Sequence, residues 1–118
     1  MARNRVTRSE LGDIHAALHA RFPDVFNRDS PRPLLVGASR EIKKAFPQFT
    51  NREIQAFLFW WCRRSSYLQA VVQPGSCRYK LDSSQLGSVN DKSREYSREL
   101  LQNRDKKSLK RRQQRVLP

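Results

Sequence analysis

A chain of 118 residues is long enough for one domain with a small core and too short for two independent ones. Its 24 Lys plus Arg against 11 Asp plus Glu give a formal charge of +13 and a pI near 10.9, so the folded surface repels itself unless a polyanion lies against it, and nucleic acid is the expected partner. No apolar run approaches the roughly 20 residues that span a bilayer and no signal-peptide core follows Met1; a cytoplasmic protein that touches no membrane is expected.

Residues 1–6 read as a loose basic arm and 7–105 as the folded domain, with 106–118 a frayed basic tail. Thr7-Arg8-Ser9-Glu10 has capping-box spacing, and Leu11, Ile14, Leu18 and Phe22 follow at helical intervals up to Pro23. Residues 27–33 have loop composition. A second helix is predicted over 39–46, with Ile42, Ala45 and Phe46 inward and Arg40, Lys43 and Lys44 outward. Pro47 breaks it, and a second capping box, Thr50-Asn51-Arg52-Glu53, opens a third helix reaching about residue 63. Ile54, Phe57, Leu58 and Trp61 give that helix a wide apolar stripe, with Phe59 and Trp60 beside it. Residues 65–72 read as a short helix or turn, and 77–81 alternate like a strand that pairs with 86–89 after the Pro74-Gly75 turn. Asn90 caps a last helix whose Tyr96, Leu100 and Leu101 are expected to face inward. The predicted class is therefore mainly α with a small β-hairpin, α+β.

Catalytic and metal chemistry find little support. His15 and His19 stand four apart but lack a third ligand, so an ordinary surface pair is the better reading. Cys62 and Cys77 have no C-x-x-C spacing, which argues for two reduced thiols rather than a zinc site or a disulfide framework. No G-x-S-x-G, P-loop or paired-carboxylate pattern occurs. Neither an enzyme nor a cofactor is expected.

Three features admit both a structural and a functional reading. The Thr50 box can merely satisfy orphan amides, or the helix tip it opens, with the amides of Asn51 and Arg52 and the Arg52 charge, can receive a phosphate. Tyr67 can be a core aromatic or a hydroxyl offered to a ligand. Trp61 inside the apolar stripe reads as core, whereas Trp60 is divided between core and base stacking.

Tyr67-Leu68, Pro74-Gly75-Ser76-Cys77-Arg78, Arg32-Pro33-Leu34 with Gly37, and Phe49-Thr50-Asn51-Arg52-Glu53 occur in an order and spacing that resembles the ProQ/FinO family of bacterial RNA chaperones. The likeness runs from about Arg21 to about Arg98. It implies a concave pocket formed by Gly37, Tyr67, Leu68 and Arg78 that takes the terminal nucleotides and 3′ hydroxyl of an RNA, with Arg32 supporting it. It also implies that the tip at Thr50, Asn51 and Arg52 meets the backbone of an RNA stem. Lys43, Arg63, Arg64, Lys80 and Arg98 are further candidate phosphate contacts. The pattern departs from many relatives at Ser65 and Ser66, where tryptophan and arginine stand, and at Leu35, Gln55 and Phe59, where basic residues occur.

The resulting expectation is a monomeric RNA-binding regulator and RNA chaperone. It would recognise a stem followed by a single-stranded 3′ tail, as in terminator hairpins of small RNAs and mRNA 3′ ends. A helical DNA-binding regulator and a generic basic nucleic-acid-binding protein are the alternatives.

Overall fold

Two threonines set the helical frame. The computed structural model describes residues 5–116, with side chains described to residue 111; of the expected N-terminal arm only Arg5 and Val6 are therefore described, and the last two residues of the expected tail lie outside the described residues. Thr7 caps α1 (Arg8–Arg21), its hydroxyl accepting the Glu10 N–H at 3.1 Å, and Ile14 and Leu18 are the buried positions of that helix. Thr50 caps α3 (Asn51–Trp61) with a complete capping box: its hydroxyl accepts the Glu53 N–H at 3.1 Å and the Glu53 carboxylate accepts the Thr50 N–H at 2.9 Å. Between them runs α2 (Ala38–Ala45), and α4 (Ser65–Val72), β1 (Cys77–Tyr79), β2 (Gln85–Ser88) and α5 (Asp91–Val116) complete the chain. This is the mainly helical architecture with one hairpin that the sequence predicts.

The core forms where α1 and α3 meet. Trp61 is fully buried and packs its ring against Phe57 at 5.7 Å and Phe26 at 5.6 Å between centroids, while His15 stacks on it at 5.0 Å. Aromatic pairs at these separations add to the free energy of area burial, which makes α3 the central helix. His15 is thereby half-buried rather than one of an ordinary surface pair: its Nε2 lies 2.9 Å from the Phe26 carbonyl.

β1 pairs with β2 antiparallel, Cys77 opposite Ser88 and Tyr79 opposite Gln85, with a register irregularity between them. Its other edge is taken by the segment after the 27–33 loop. The Tyr79 N–H donates to Pro33 O at 2.8 Å and the Leu35 N–H to Tyr79 O at 3.0 Å, a parallel bridge centred on Leu34. That pairing carries Arg32, Leu34 and Gly37 across the molecule to the hairpin.

Three expectations are corrected. Tyr96 is 53% exposed, and the inward position beside it belongs to Ser97, 6% exposed, because a small side chain lets α5 lie close on α4. The basic segment expected as a frayed tail is instead the continuation of the last helix, which runs to Val116; residues 106–116 contain neither glycine nor proline, and Lys, Leu, Arg and Gln are strong helix formers. Lys43, placed outward by the helical pattern, folds over the end of α2 and donates to the carbonyls of Phe49 at 2.6 Å and Pro47 at 3.1 Å. Both acceptors lie in the loop that follows α2.

Candidate nucleic-acid interface

The backbone of one residue ties the two sequence-predicted pocket groups together. Leu34 donates its N–H to the Tyr67 hydroxyl oxygen at 2.9 Å and accepts from the Arg78 guanidinium through its carbonyl at 2.7 Å. Tyr67 reaches this point from α4 and Arg78 from β1, so three chain segments converge there. A second Arg78 nitrogen donates to Ser93 Oγ of α5 at 3.3 Å. Two of the five guanidinium N–H groups are thus used for anchoring, and the planar fork keeps donors for a ligand.

These groups line a shallow cavity of about 240 Å³ together with Gly37, Ala38, Ser39, Leu58 and Cys62. The cavity also receives the N-terminus of α2. Gly37 is the cap residue there, with φ 84° and ψ 21° and no side-chain cap, so the first amides of α2 have no hydroxyl or carboxylate to accept them. The left-handed conformation explains the glycine, and a Cβ at this position would meet open space rather than a clash. An uncapped helix start facing a guanidinium across a small hollow is a place for an anion.

The ionisable groups of the cavity stay neutral apart from Arg78. Burial, and then the neighbouring Cys62, push the Tyr67 phenol far above its ordinary value; burial likewise raises the Cys62 thiol, against the opposing pull of the Tyr67 hydrogen bond and Arg78. Tyr67 is 6% exposed. It is therefore both core residue and cavity wall, with its oxygen committed to Leu34 and one edge facing the hollow.

A second candidate feature lies at the far end of α3, whose 11 residues span ~16 Å. Thr50 and Arg52 line a hollow of about 370 Å³ with Arg5 and Val6 from the start of the chain, and two carboxylates, Glu10 and Glu53, share it. Asn51 and Arg52 are exposed at this tip. The capping box engages the Glu53 amide rather than those of Asn51 and Arg52, which stand at the open end of the helix.

The family model for the ProQ/FINO family matches residues 9–114. The chain belongs to the ProQ/FinO family. Among solved structures, it is similar to a FinO-like RNA chaperone from Neisseria meningitidis MC58, at 26% identity and a TM-score of 0.66, covering 77% of this chain and 93% of that one. It also shares the fold of a ProQ homolog from Legionella pneumophila, at 16% identity and a TM-score of 0.66, over 88% of this chain and 89% of that one. No curated protein matches it.

Within this ProQ/FinO domain the remaining candidate residues are dispersed. Leu68 is buried and does not line the cavity. Arg32 lies over the Tyr79 ring at 4.8 Å, beside the bridge that holds Leu34. Arg64, at the start of α4, stacks over Trp61 at 4.8 Å and donates to Arg28 O at 3.4 Å, and burial lowers its pKa from the ordinary arginine value. Arg63 sits over Phe59 at 4.1 Å. Lys80 is exposed and borders a separate hollow with Arg21, Lys44 and Leu81. Arg98 is exposed and paired with Glu95 at 2.8 Å.

Sequence reasoning missed Ser39 and the α2 amides. The available signal was Gly37-Ala38-Ser39 at the start of an amphipathic run, a helix opening without a Ser, Thr, Asp or Asn cap. It also passed over the cavity position of Cys62, which follows from its place as the C-cap of α3, four residues after Leu58.

Among the described residues no helix is long and apolar enough to cross a membrane, and no group of three potential metal ligands occurs.

Proposed function

We propose that this ProQ/FinO domain is a non-enzymatic RNA-binding regulator that grips a structured RNA by its 3′ end. The terminal sugar-phosphate of a single-stranded 3′ tail would enter the Tyr67–Arg78 cavity, Arg78 and the α2 amides taking the phosphate oxygens and Gly37 allowing close backbone approach. The stem would then run toward Thr50, Asn51 and Arg52 at the other end of α3. Terminator-like hairpins of small RNAs and mRNA 3′ ends have this form, and post-transcriptional control as a cytoplasmic, monomeric RNA chaperone is the corresponding role. In this reading residues 7–105 are the RNA-binding body, and the basic flanks 1–6 and 106–118 add sequence-blind attraction.

The single observation that carries the proposal is the convergence of Arg78 and an uncapped helix start on one small cavity. Similarity to a FinO-like RNA chaperone supports the same ligand class. Recognition by a terminus also suits RNA, whose deep major groove excludes side chains. A DNA-reading role for α3 is disfavoured because Ile54, Phe57 and Trp61 commit it to the core, which leaves few polar side chains for base edges.

Competition at fixed salt tests the proposal. A labelled hairpin with a single-stranded 3′ tail should be displaced by the same unlabelled RNA at far lower concentration than by a blunt RNA duplex or duplex DNA. Equal displacement by all three would reduce the protein to a generic polycation.

A further inference from the structure

The helix α3 separates two concavities. Leu58 and Cys62 face the Tyr67–Arg78 cavity, while Ala56, Phe59 and Trp60 line a groove of about 390 Å³ closed on its other side by Val6 and Leu11. Phe59 lies on the ridge between them, since it is one residue from Leu58 and three from Cys62 around the helix. It is 63% exposed. Phe59 and Trp60 lie next to one another in this groove, and contiguous aromatic surface left in water marks an interaction site.

Cations stand around this aromatic surface. Arg63 holds its guanidinium 4.1 Å from the Phe59 ring centroid, which orients the ring. Arg5 and Arg52 line the same groove and also the adjoining hollow that Glu10 and Glu53 share. An apolar floor with guanidinium groups at its edge has the chemistry of a nucleotide site, base against the rings and phosphate at the rim. The chain's formal charge of +13 favours a polyanion, and continuity with the cavity across one helix favours a base of the same RNA over a protein partner.

We propose that this groove is a base-stacking subsite, in which an unpaired nucleobase of the bound RNA lies against Phe59 and Trp60 while Arg52 contacts its phosphate. The inference rests on the RNA reading given above and adds to it a place where the strand is read by stacking rather than by its end.

The probe is a tailed hairpin carrying a 5′ flank of five unpaired adenosines, compared with the same RNA whose flank is abasic. Removing the bases should weaken binding to the unaltered protein about tenfold. Phe59→Ala should weaken binding to the full RNA by a similar factor and be indifferent to the abasic change, while Phe59→Trp should retain both affinity and sensitivity. Trp60 fluorescence should be quenched by the full RNA and not by the abasic one. Unchanged affinity of Phe59→Ala, or an equal loss on both RNAs, would overturn the subsite. So would a concentration-dependent self-association of the RNA-free protein that Phe59→Ala abolishes, because a second copy would then cover the groove. Preference for the 3′ tail is scored separately on a flank-free hairpin: an unaltered protein that ignores the tail yet senses the abasic flank sinks the cavity reading and sustains the stacking subsite.

Discussion

Replacing the Tyr67 hydroxyl by hydrogen removes the acceptor of the N–H of Leu34, a buried residue. Tyr67→Phe should therefore cost roughly 1–3 kcal/mol of stability, measurable by urea denaturation, whereas an alanine there would also open a cavity and confound binding with unfolding. His15 makes a second prediction. Burial, with Arg28, His19 and Arg64 nearby, holds its imidazole below the ordinary value against the opposing Phe26 hydrogen bond. An unfolded histidine titrates near 6.5, so this stability is fully present above about pH 6.5 and lost as pH falls through the lower folded value. The thermal midpoint of the protein should thus drop more between about pH 7.5 and about pH 5.5 than that of His15→Gln; equal drops would show that His15 does not titrate against folding.

The element that decides the site is α2, and a single change at its start moves stability and affinity in opposite directions. Ser39→Asp puts a carboxylate at the positive end of the helix, which should stabilise the fold by roughly 0.3–1 kcal/mol. If the cavity receives a phosphate as proposed, the same charge competes with it, and affinity for a tailed hairpin should fall roughly tenfold, the scale of one charge-assisted hydrogen bond. A variant more stable and equally tight would remove α2 from the binding site. What the sequence disclosed about the elements depended on whether their ends carry chemistry. Thr7 and Thr50 announced α1 and α3 because a hydroxyl followed by glutamate three residues on has one main structural use. Gly37 gave no comparable sign, since its role is a left-handed backbone that leaves amides uncapped. The proximity of Tyr67 and Arg78 was suggested by resemblance alone; the agent that joins them is the Leu34 backbone, whose pairing with β1 crosses more than forty positions of chain and leaves no local periodicity. Tyr96 was misplaced for a related reason: apolarity favours it inward, and only the close approach of α4 and α5 reveals that the inward position must be small.

At the scale of the whole molecule, charge and shape are divided between a folded body and a long helix. α5 is anchored near its middle by Arg104, which donates to Ser65 Oγ at 3.1 Å and to the Arg63 carbonyl. A truncation meant to probe the basic end should therefore keep Arg104. Ending the chain after Asp105 removes Lys106, Lys107, Lys110, Arg111, Arg112 and Arg115; for each phosphate that these cations no longer neutralise, the slope of log K against log salt should shrink by roughly 0.7–0.9. Tail preference should survive. Its disappearance would transfer end recognition from the cavity to the terminal helix.

The most direct test compares one hairpin with a 3′-hydroxyl tail, a 3′-phosphate tail and no tail, by equilibrium binding at a single salt concentration. A cavity of about 240 Å³ holds a terminal sugar-phosphate and little more, so the hydroxyl tail should bind tightest, the additional phosphate should weaken binding and removal of the tail should weaken it most. Equal affinity for all three would contradict the account, because a site built from Arg78, Tyr67 and the start of α2 would then be reading charge without reading an end.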